Sequence, residues 1–255
     1  MKKNKNRNGE SLINKFGSKM TISKYIDAKN VIVEFENPKY LIKTTYRNFK
    51  TLNIRYPYDK SIYGIGYIGV GDYNASIDRK ASPQYDTWHS MLQRCYNEKL
   101  HKKRPSYIGC TVCEEWHNFQ TFAKWHDENY YKVEGQRIEL DKDILVKGNK
   151  IYSPNTCIFV PQSINTLLIK RDSKRGEFPI GIYFKKKNNK YSVQCSNGKD
   201  KNQQYLGLFD TPIQAFNVYK SFKENIIKQI ADEYKNKIPK NIYDALYNYE
   251  VEYND

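Results

Sequence analysis

The sequence predicts an α+β chain: a small N-terminal β-module, a central helical layer, a core of two short strands and a helix, and a C-terminal three-stranded antiparallel sheet backed by one long helix. Three observations carry this. Residues 17–58 alternate apolar and polar side chains between turn signals at Asp27-Ala28-Lys29-Asn30 and Glu36-Asn37-Pro38, the period of three or four half-buried strands. Between residues 82 and 131, aromatic side chains recur at helical spacing. From 181 to 209, three strand-like runs with turns at Asn188-Asn189 and Asn197-Gly198 precede a helix-opening Asp210-Thr211-Pro212 and a long amphipathic run.

Taken in order, residues 1–58 form the β-module, with a basic, Asn-rich tail at its start. The module resembles one common at the N-termini of phage and mobile-element proteins. Residues 59–80 are rich in Gly and Tyr, with Gly64, Gly66, Gly69 and Gly71 inside YGIGYIGVGDYN. No Gly-Lys-Ser/Thr follows, so the stretch is read as a linker or irregular strand and not as a phosphate loop. Ser82-Pro83 opens a helix with Tyr85, Trp88, Met91, Leu92 and Cys95 on one face. A second helix, EEWHNFQTFAKWHDENYY, carries Trp116, Phe119, Phe122 and Trp125. Both stripes read as core, a layer for the next segment to pack on.

That segment, residues 137–165, reads as a strand over 137–146, a turn at Lys147-Gly148-Asn149, a kink at Ser153-Pro154-Asn155, an apolar strand over 157–160 and a helix opened by Pro161. Leu140-Asp141-Lys142-Asp143 lies at its centre. These four residues, Gly148-Asn149, Tyr152-Ser153-Pro154 and Cys157 follow the order and spacing of a phage-type pattern, and Trp88, Met91, Arg94-Cys95-Tyr96, Val112-Cys113, Glu115-Trp116, Phe119 and Phe122 fit the helices that precede it. The chain here resembles the ββα-metal (His-Me finger, HNH-type) nucleases over residues 85–165, in a domain spanning 81–172.

The resemblance implies a DNA endonuclease that hydrolyses a phosphodiester with one divalent cation, Mg²⁺ or Mn²⁺. Residue by residue, it makes Asp141 a metal ligand and Asn165 its partner on the helix, and it counts Lys142 and Asp143 in the catalytic segment. Lys142 stands where the family has its general-base His. An ammonium does not accept a proton at its ordinary pKa, so Lys142 is expected to neutralise charge at the phosphate. The base would then be metal-bound hydroxide or a side chain from elsewhere, with His89, His117 and His126 as candidates. Thr156 also departs from the pattern, which has Asn. Both departures favour the alternative, a catalytically inactive DNA-binding protein, regulator or anti-defence protein, that keeps the nuclease fold.

The last clear unit, residues 173–237, contains YLGLFDTPIQAFNVYK and is similar to the Apetala-two type of DNA-binding domain, in which a three-stranded sheet enters the major groove and a helix backs it. The similarity implies that Tyr183, Lys185, Lys187, Gln194, Ser196, Gln203 and Tyr205 point at double-stranded DNA, and that Ile182, Tyr191, Val193 and Leu206 face the helix. The acidic, Tyr-rich tail, residues 238–255, is expected to dock back as a short helix.

Composition agrees with a nucleic-acid partner. Lys plus Arg number 43 against 28 Asp plus Glu, a formal charge of +15 with a pI near 9.4. Between Lys170 and Lys201, ten basic side chains stand against three acidic ones, a clustering that an AT-rich genome alone does not produce. No apolar run approaches the ~20 residues that span a bilayer, and no signal-type segment follows Met1-Lys2-Lys3. The expected location is the cytoplasm, which the resemblance makes that of a phage-infected or prophage-bearing bacterium. Five cysteines, an odd number, argue against a disulfide framework. Cys110 and Cys113 have the spacing of a zinc knuckle, which Cys95 and Cys157 could complete as a structural zinc site; the same four thiols could instead be small buried hydrophobes.

Overall fold

The computed structural model describes residues 6–168, 177–198 and 202–253. The basic run at 169–176, the expected 172/173 domain boundary and residues 199–201 lie outside the described residues. The chain is α+β and divides into two compact units, the first made of residues 1–128 and 150–153, the second of 129–149 and 154–255.

In the first unit, strands β1 (Ser11–Ile13), β2 (Lys19–Asp27), β3 (Asn30–Glu36) and β4 (Lys39–Thr44) form an antiparallel meander in that order. Alternation in the sequence is alternation in burial: Val31, Val33 and Phe35 of β3 face inward with Met20 and Ile22. Helix α1 (Tyr46–Lys50) adds Phe49 to that core. A buried carboxylate, Asp59, closes the module by accepting from Asn14 Nδ2 at 2.7 Å, Ser18 Oγ at 2.6 Å and the Tyr56 amide at 3.1 Å.

The Gly- and Tyr-rich stretch that follows is packed down and does not behave as a free linker. It ends in a two-stranded ribbon, β5 (Ser76–Ile77) and β6 (Lys80–Ala81), and leads to α2 (Pro83–Tyr96). A Cβ at Gly66 would sit 2.5 Å from Leu92 Cδ1 and 2.8 Å from the Trp88 ring, so glycine permits this close approach to α2. Gln120 pins the same stretch, donating from Nε2 to the Ile68 and Tyr73 carbonyls at 3.2 and 3.0 Å and accepting from the Tyr73 amide at 2.9 Å.

Ser82 caps α2 by accepting from Tyr85 N at 3.3 Å. Asn97 then interrupts the expected helix and caps α3 (Glu98–Lys103) by accepting from Leu100 N at 3.0 Å. After β7 (Thr111–Val112) and a 3₁₀ turn, α4 spans Phe119–Asn129. Trp88, Met91, Leu92, Trp116, Phe119 and Phe122 are fully buried, and Trp88 Nε1 donates to the Trp116 carbonyl at 2.7 Å. The aromatic stripes are therefore core.

The second unit opens with β8 (Ile138–Asp141). The chain returns to the first unit for β9 (Ile151–Tyr152), which pairs parallel with β7. It then re-enters the second as β10 (Ile158–Pro161), antiparallel to β8, and α5 (Gln162–Leu168). This is a strand–strand–helix order, with the first strand ending at Asp141 and not at Val146. Strands β11 (Ile182–Lys185), β12 (Lys190–Ser196) and β13 (Gln203–Phe209) form the antiparallel sheet, and the 23-residue α6 (Pro212–Tyr234) backs it.

Two cores meet along α6. Its first half buries Ala215, Phe216 and Tyr219 against Ile182, Val193 and Cys195 of the sheet. Its second half buries Ile226, Ile227, Ile230 and Ala231 against Ile158, Val160 and Ile164 of the strand–strand–helix segment. Helix α7 (Lys240–Tyr247) joins the second core through Ile242 and Leu246, so the tail docks as expected. The expected boundary between the ββα segment and the sheet therefore falls inside one unit, and the helical layer groups with the N-terminal module.

Candidate functional site

Strand alternation sorts the ββα segment into two faces. In the β8/β10 pairing, Glu139 lies opposite Val160 and Asp141 opposite Ile158, while Leu140 pairs with Phe159 on the other face. Helix α5 brings Asn165 to the first face, where its Nδ2 donates to Glu139 Oε2 at 2.8 Å. Asn165, expected to partner Asp141 at a cation, is thus bonded to Glu139, which shares Asp141's side of β8 and which the motif did not single out. The period of two placed Glu139 beside Asp141 and could have found it.

Asp141 has a structural task as well. Its Oδ1 accepts from the amides of Asp143 and Ile144 at 2.7 and 2.8 Å, a side-chain turn that ends β8 and explains why the expected longer strand stops there. Burial pushes the Asp141 carboxyl above the usual carboxylate range, against the pull of those two amides.

Lys142 is 6% exposed. Its Nζ donates to both carboxylate oxygens of Asp143, at 2.8 and 2.7 Å, and to the Asn149 carbonyl at 2.7 Å. Asn149 Nδ2 returns a bond to the Lys142 carbonyl at 2.9 Å. The ammonium therefore ties together the two ends of the 142–149 loop, a role that its place in the motif did not announce. Asp143 is the other half of this ion pair.

The candidate bases and thiols are distributed differently. His89, His117 and His126 belong to the first unit: the His89 ring lies against Tyr63 and Tyr85, His117 Nε2 bonds the Val112 carbonyl at 3.1 Å, and His126 is buried with Nδ1 3.3 Å from Asp127 Oδ1. Cys95, Cys110 and Cys113 also lie in the first unit and Cys157 in the second, none of them in a disulfide. Burial pushes the Cys113 thiol up to about 11, and Cys110 Sγ donates to the Ser106 carbonyl at 3.9 Å. Among the described residues, no group of three or more His, Cys, Asp or Glu side chains gathers as a metal site.

The C-terminal sheet brings its expected residues together. Its register sets Tyr183 opposite Ser192, Lys185 opposite Lys190, Gln194 opposite Tyr205 and Ser196 opposite Gln203, all on the face away from α6. A bulge after Val193 accommodates Leu206 and keeps both Tyr205 and Leu208 on that outer face. Tyr183 and Tyr205 are 55% and 56% exposed. Ile182 and Val193 are buried beneath, with Tyr191 and Leu206 half-buried beside them. Lys187 lies in the β11–β12 turn, and with Lys185, Asn188, Ser192, Tyr205 and Leu208 it borders a shallow depression of about 340 Å³.

No family model, curated protein or solved structure matches the chain.

Lys185, Lys186, Lys187 and Lys190 gather at the β11–β12 turn, where Lys190 also pairs with Asp210 at 3.0 Å. At the other end of β12 and β13 the described outer-face residues are Gln194, Ser196 and Gln203, and the connection between these strands carries Lys199, Asp200 and Lys201, which lie outside the described residues. Such a surface can attract a polyanion and make directional hydrogen bonds. No helix among the described residues is long and apolar enough to cross a membrane.

Proposed function

We propose that the chain is a DNA endonuclease of the ββα-metal type, with duplex DNA held on the outer face of the C-terminal sheet. The observation that carries this reading is the Asn165–Glu139 bond on the side of β8 that Asp141 shares, in a strand–strand–helix segment that packs on the same helix, α6, as the basic sheet. Carboxylate and amide oxygens are hard donors, suited to Mg²⁺ or Mn²⁺, and a cation beside Asp141 would offset the penalty of its buried charge. Asp141, Asn165 and Glu139 would hold that cation, which supplies charge neutralisation at the phosphate and acidifies a bound water. Glu139 would orient the Asn165 amide, leaving its carbonyl oxygen to face the cation. Lys142 would act at one remove, by fixing the loop that carries Asp143.

A second reading, a DNA-binding protein without cleavage, is favoured by Lys142 standing at the position of the usual base with its ammonium bonded to Asp143 and Asn149. A supercoiled-plasmid nicking assay with Mg²⁺, Mn²⁺ or chelator separates the two. The endonuclease reading expects nicking that chelator, Asp141→Asn and Glu139→Gln each abolish, with DNA affinity nearly unchanged. Absence of nicking on DNA that the protein demonstrably binds leaves only the binder. For binding itself, log K should fall linearly with log salt, and Lys185→Ala with Lys187→Ala should reduce the slope by about 0.9 for each phosphate that is no longer neutralised.

A further inference from the structure

We infer that the first unit has a contact of its own for the phosphate backbone of duplex DNA, on helix α3 and the turn that follows it. This surface lies outside both the sheet and the ββα segment, so the inference goes beyond the function proposed above. Residues 1–128 and 150–153 hold 23 Lys plus Arg against 13 Asp plus Glu, so most of the formal charge of +15 belongs to this unit and not to the one with the sheet. Its densest part is the segment 94–104. There Arg94, Lys99, Lys102, Lys103 and Arg104 stand against one carboxylate, Glu98. Lys99, Lys102, Lys103 and Arg104 are all exposed, and among the described residues none of the four is in an ion pair.

Helix α3 buries no side chain, so apolar packing does not account for it. Polar ties fix it instead. Asn97 caps its start, His101 Nε2 bonds the Arg94 carbonyl at 2.8 Å, and the Arg104 amide donates to the Leu100 carbonyl at 2.8 Å. The Pro105–Tyr107 turn is held by Lys150 Nζ, which donates to the Ser106 carbonyl at 2.9 Å and brings another exposed cation alongside. Lys99 precedes Lys102 and Lys103 by three and four residues, which sets their Cβ atoms about 5–6 Å apart on one face. Like charges at that spacing disfavour a helix, and although the helix dipole favours Lys102 and Lys103 in the last turn, it opposes Lys99 in the first. Local energetics thus do not explain the cluster, whereas a polyanion supplies the missing counter-charge. Duplex DNA carries one charge per about 1.7 Å of axis, dense enough to meet several ammonium groups held this close. Lysine ammoniums are compact point charges suited to phosphate oxygens, so this contact holds the backbone and does not read sequence.

The test titrates the full-length protein with a short mixed-sequence duplex at several salt concentrations. Lys99→Gln, Lys102→Gln and Lys103→Gln, combined, disturb no buried contact and should lower the slope of log K against log salt by about 0.9 for each phosphate released, up to about 2.7. Lys15→Gln, Lys29→Gln and Lys60→Gln remove the same charge from exposed positions elsewhere in the unit and should leave the slope nearly unchanged. Amine acetylation of the wild-type complex, read by mass spectrometry, should find Lys99, Lys102 and Lys103 protected by the duplex. An unchanged slope in the α3 variant, or an equal fall in the control, overturns the inference and leaves DNA on the sheet as proposed. Full acetylation of the three lysines in a complex that demonstrably forms overturns it as well. Absence of binding to any duplex overturns both.

Discussion

Replacing Lys142 by Met removes the donors that reach Asp143 and the Asn149 carbonyl while keeping the aliphatic stem. The Asn149 carbonyl then loses a charged partner at a half-buried site, and the change should lower stability by about 2 kcal/mol, read as a lower urea midpoint at unchanged m. Asp143→Asn should cost less, since that side chain is half exposed. A midpoint unmoved by Lys142→Met would deny the loop-closing role. His126 tests burial differently. Burial holds its imidazole below the ordinary range, against the pull of Asp127, so the unfolded chain takes up a proton first as the pH falls. Its contribution to stability is present above about pH 6.5 and is lost as the pH drops through the lower folded-state value. The melting temperature should decline from about pH 7 towards about pH 5, and His126→Leu should flatten that part of the curve. An unaltered slope in the variant would assign the decline to other groups.

Among the elements, the β11–β12–β13 sheet has a tightly packed glycine just before its first strand. Gly181 has φ +79°, and a Cβ there would stand 2.4 Å from the Gln194 carbonyl oxygen and 2.5 Å from the Tyr219 ring. Gly181→Ala should therefore cost about 2 kcal/mol or more and weaken DNA binding, because it pushes the sheet off α6. Gly64, at φ +72° with nothing within 4 Å, is the control: its Ala variant bears only the backbone strain, about 1 kcal/mol. Strands and helices of this kind were legible because alternation and helical spacing are local. Thr211 accepting from Gln214 N at 3.2 Å is the cap that Asp210-Thr211-Pro212 announced. The packing of residues 59–80 was not legible, since Gly66 is held by Trp88 and Leu92, and the stretch beyond it by Gln120, all distant in sequence. Lys142 escaped for another reason. A motif fixes a backbone position, whereas the direction of the side chain came from Asn149 closing the loop.

For the whole molecule, the two halves of the apolar stripe of α6, one in each core, make residues 129–255 the natural folding unit of the C-terminal half. A fragment limited to 173–237 would expose Ile226, Ile227 and Ile230 where β10, α5 and α7 now cover them. It should be poorly folded, whereas 129–255 should melt in a single transition. Ile227→Ala, at a position with no exposure, should cost about 3 kcal/mol and lower that transition as one event. Separate transitions for the sheet and the ββα segment would show two domains that merely touch.

A helix that serves as the common wall of two cores is also a ruler. At about 1.5 Å per residue, Tyr219 under the sheet and Ile227 under the strand pair lie about 12 Å apart along the α6 axis. A nuclease domain on a flexible tether would nick a bound duplex over a spread of positions. Here, on the endonuclease reading, the base pairs gripped by the sheet also choose which phosphate reaches Asp141. Nicks on a duplex with one binding site should therefore collect at one phosphate per strand, as a single sharp band on a sequencing gel, and a ladder of bands would mean that the ruler bends.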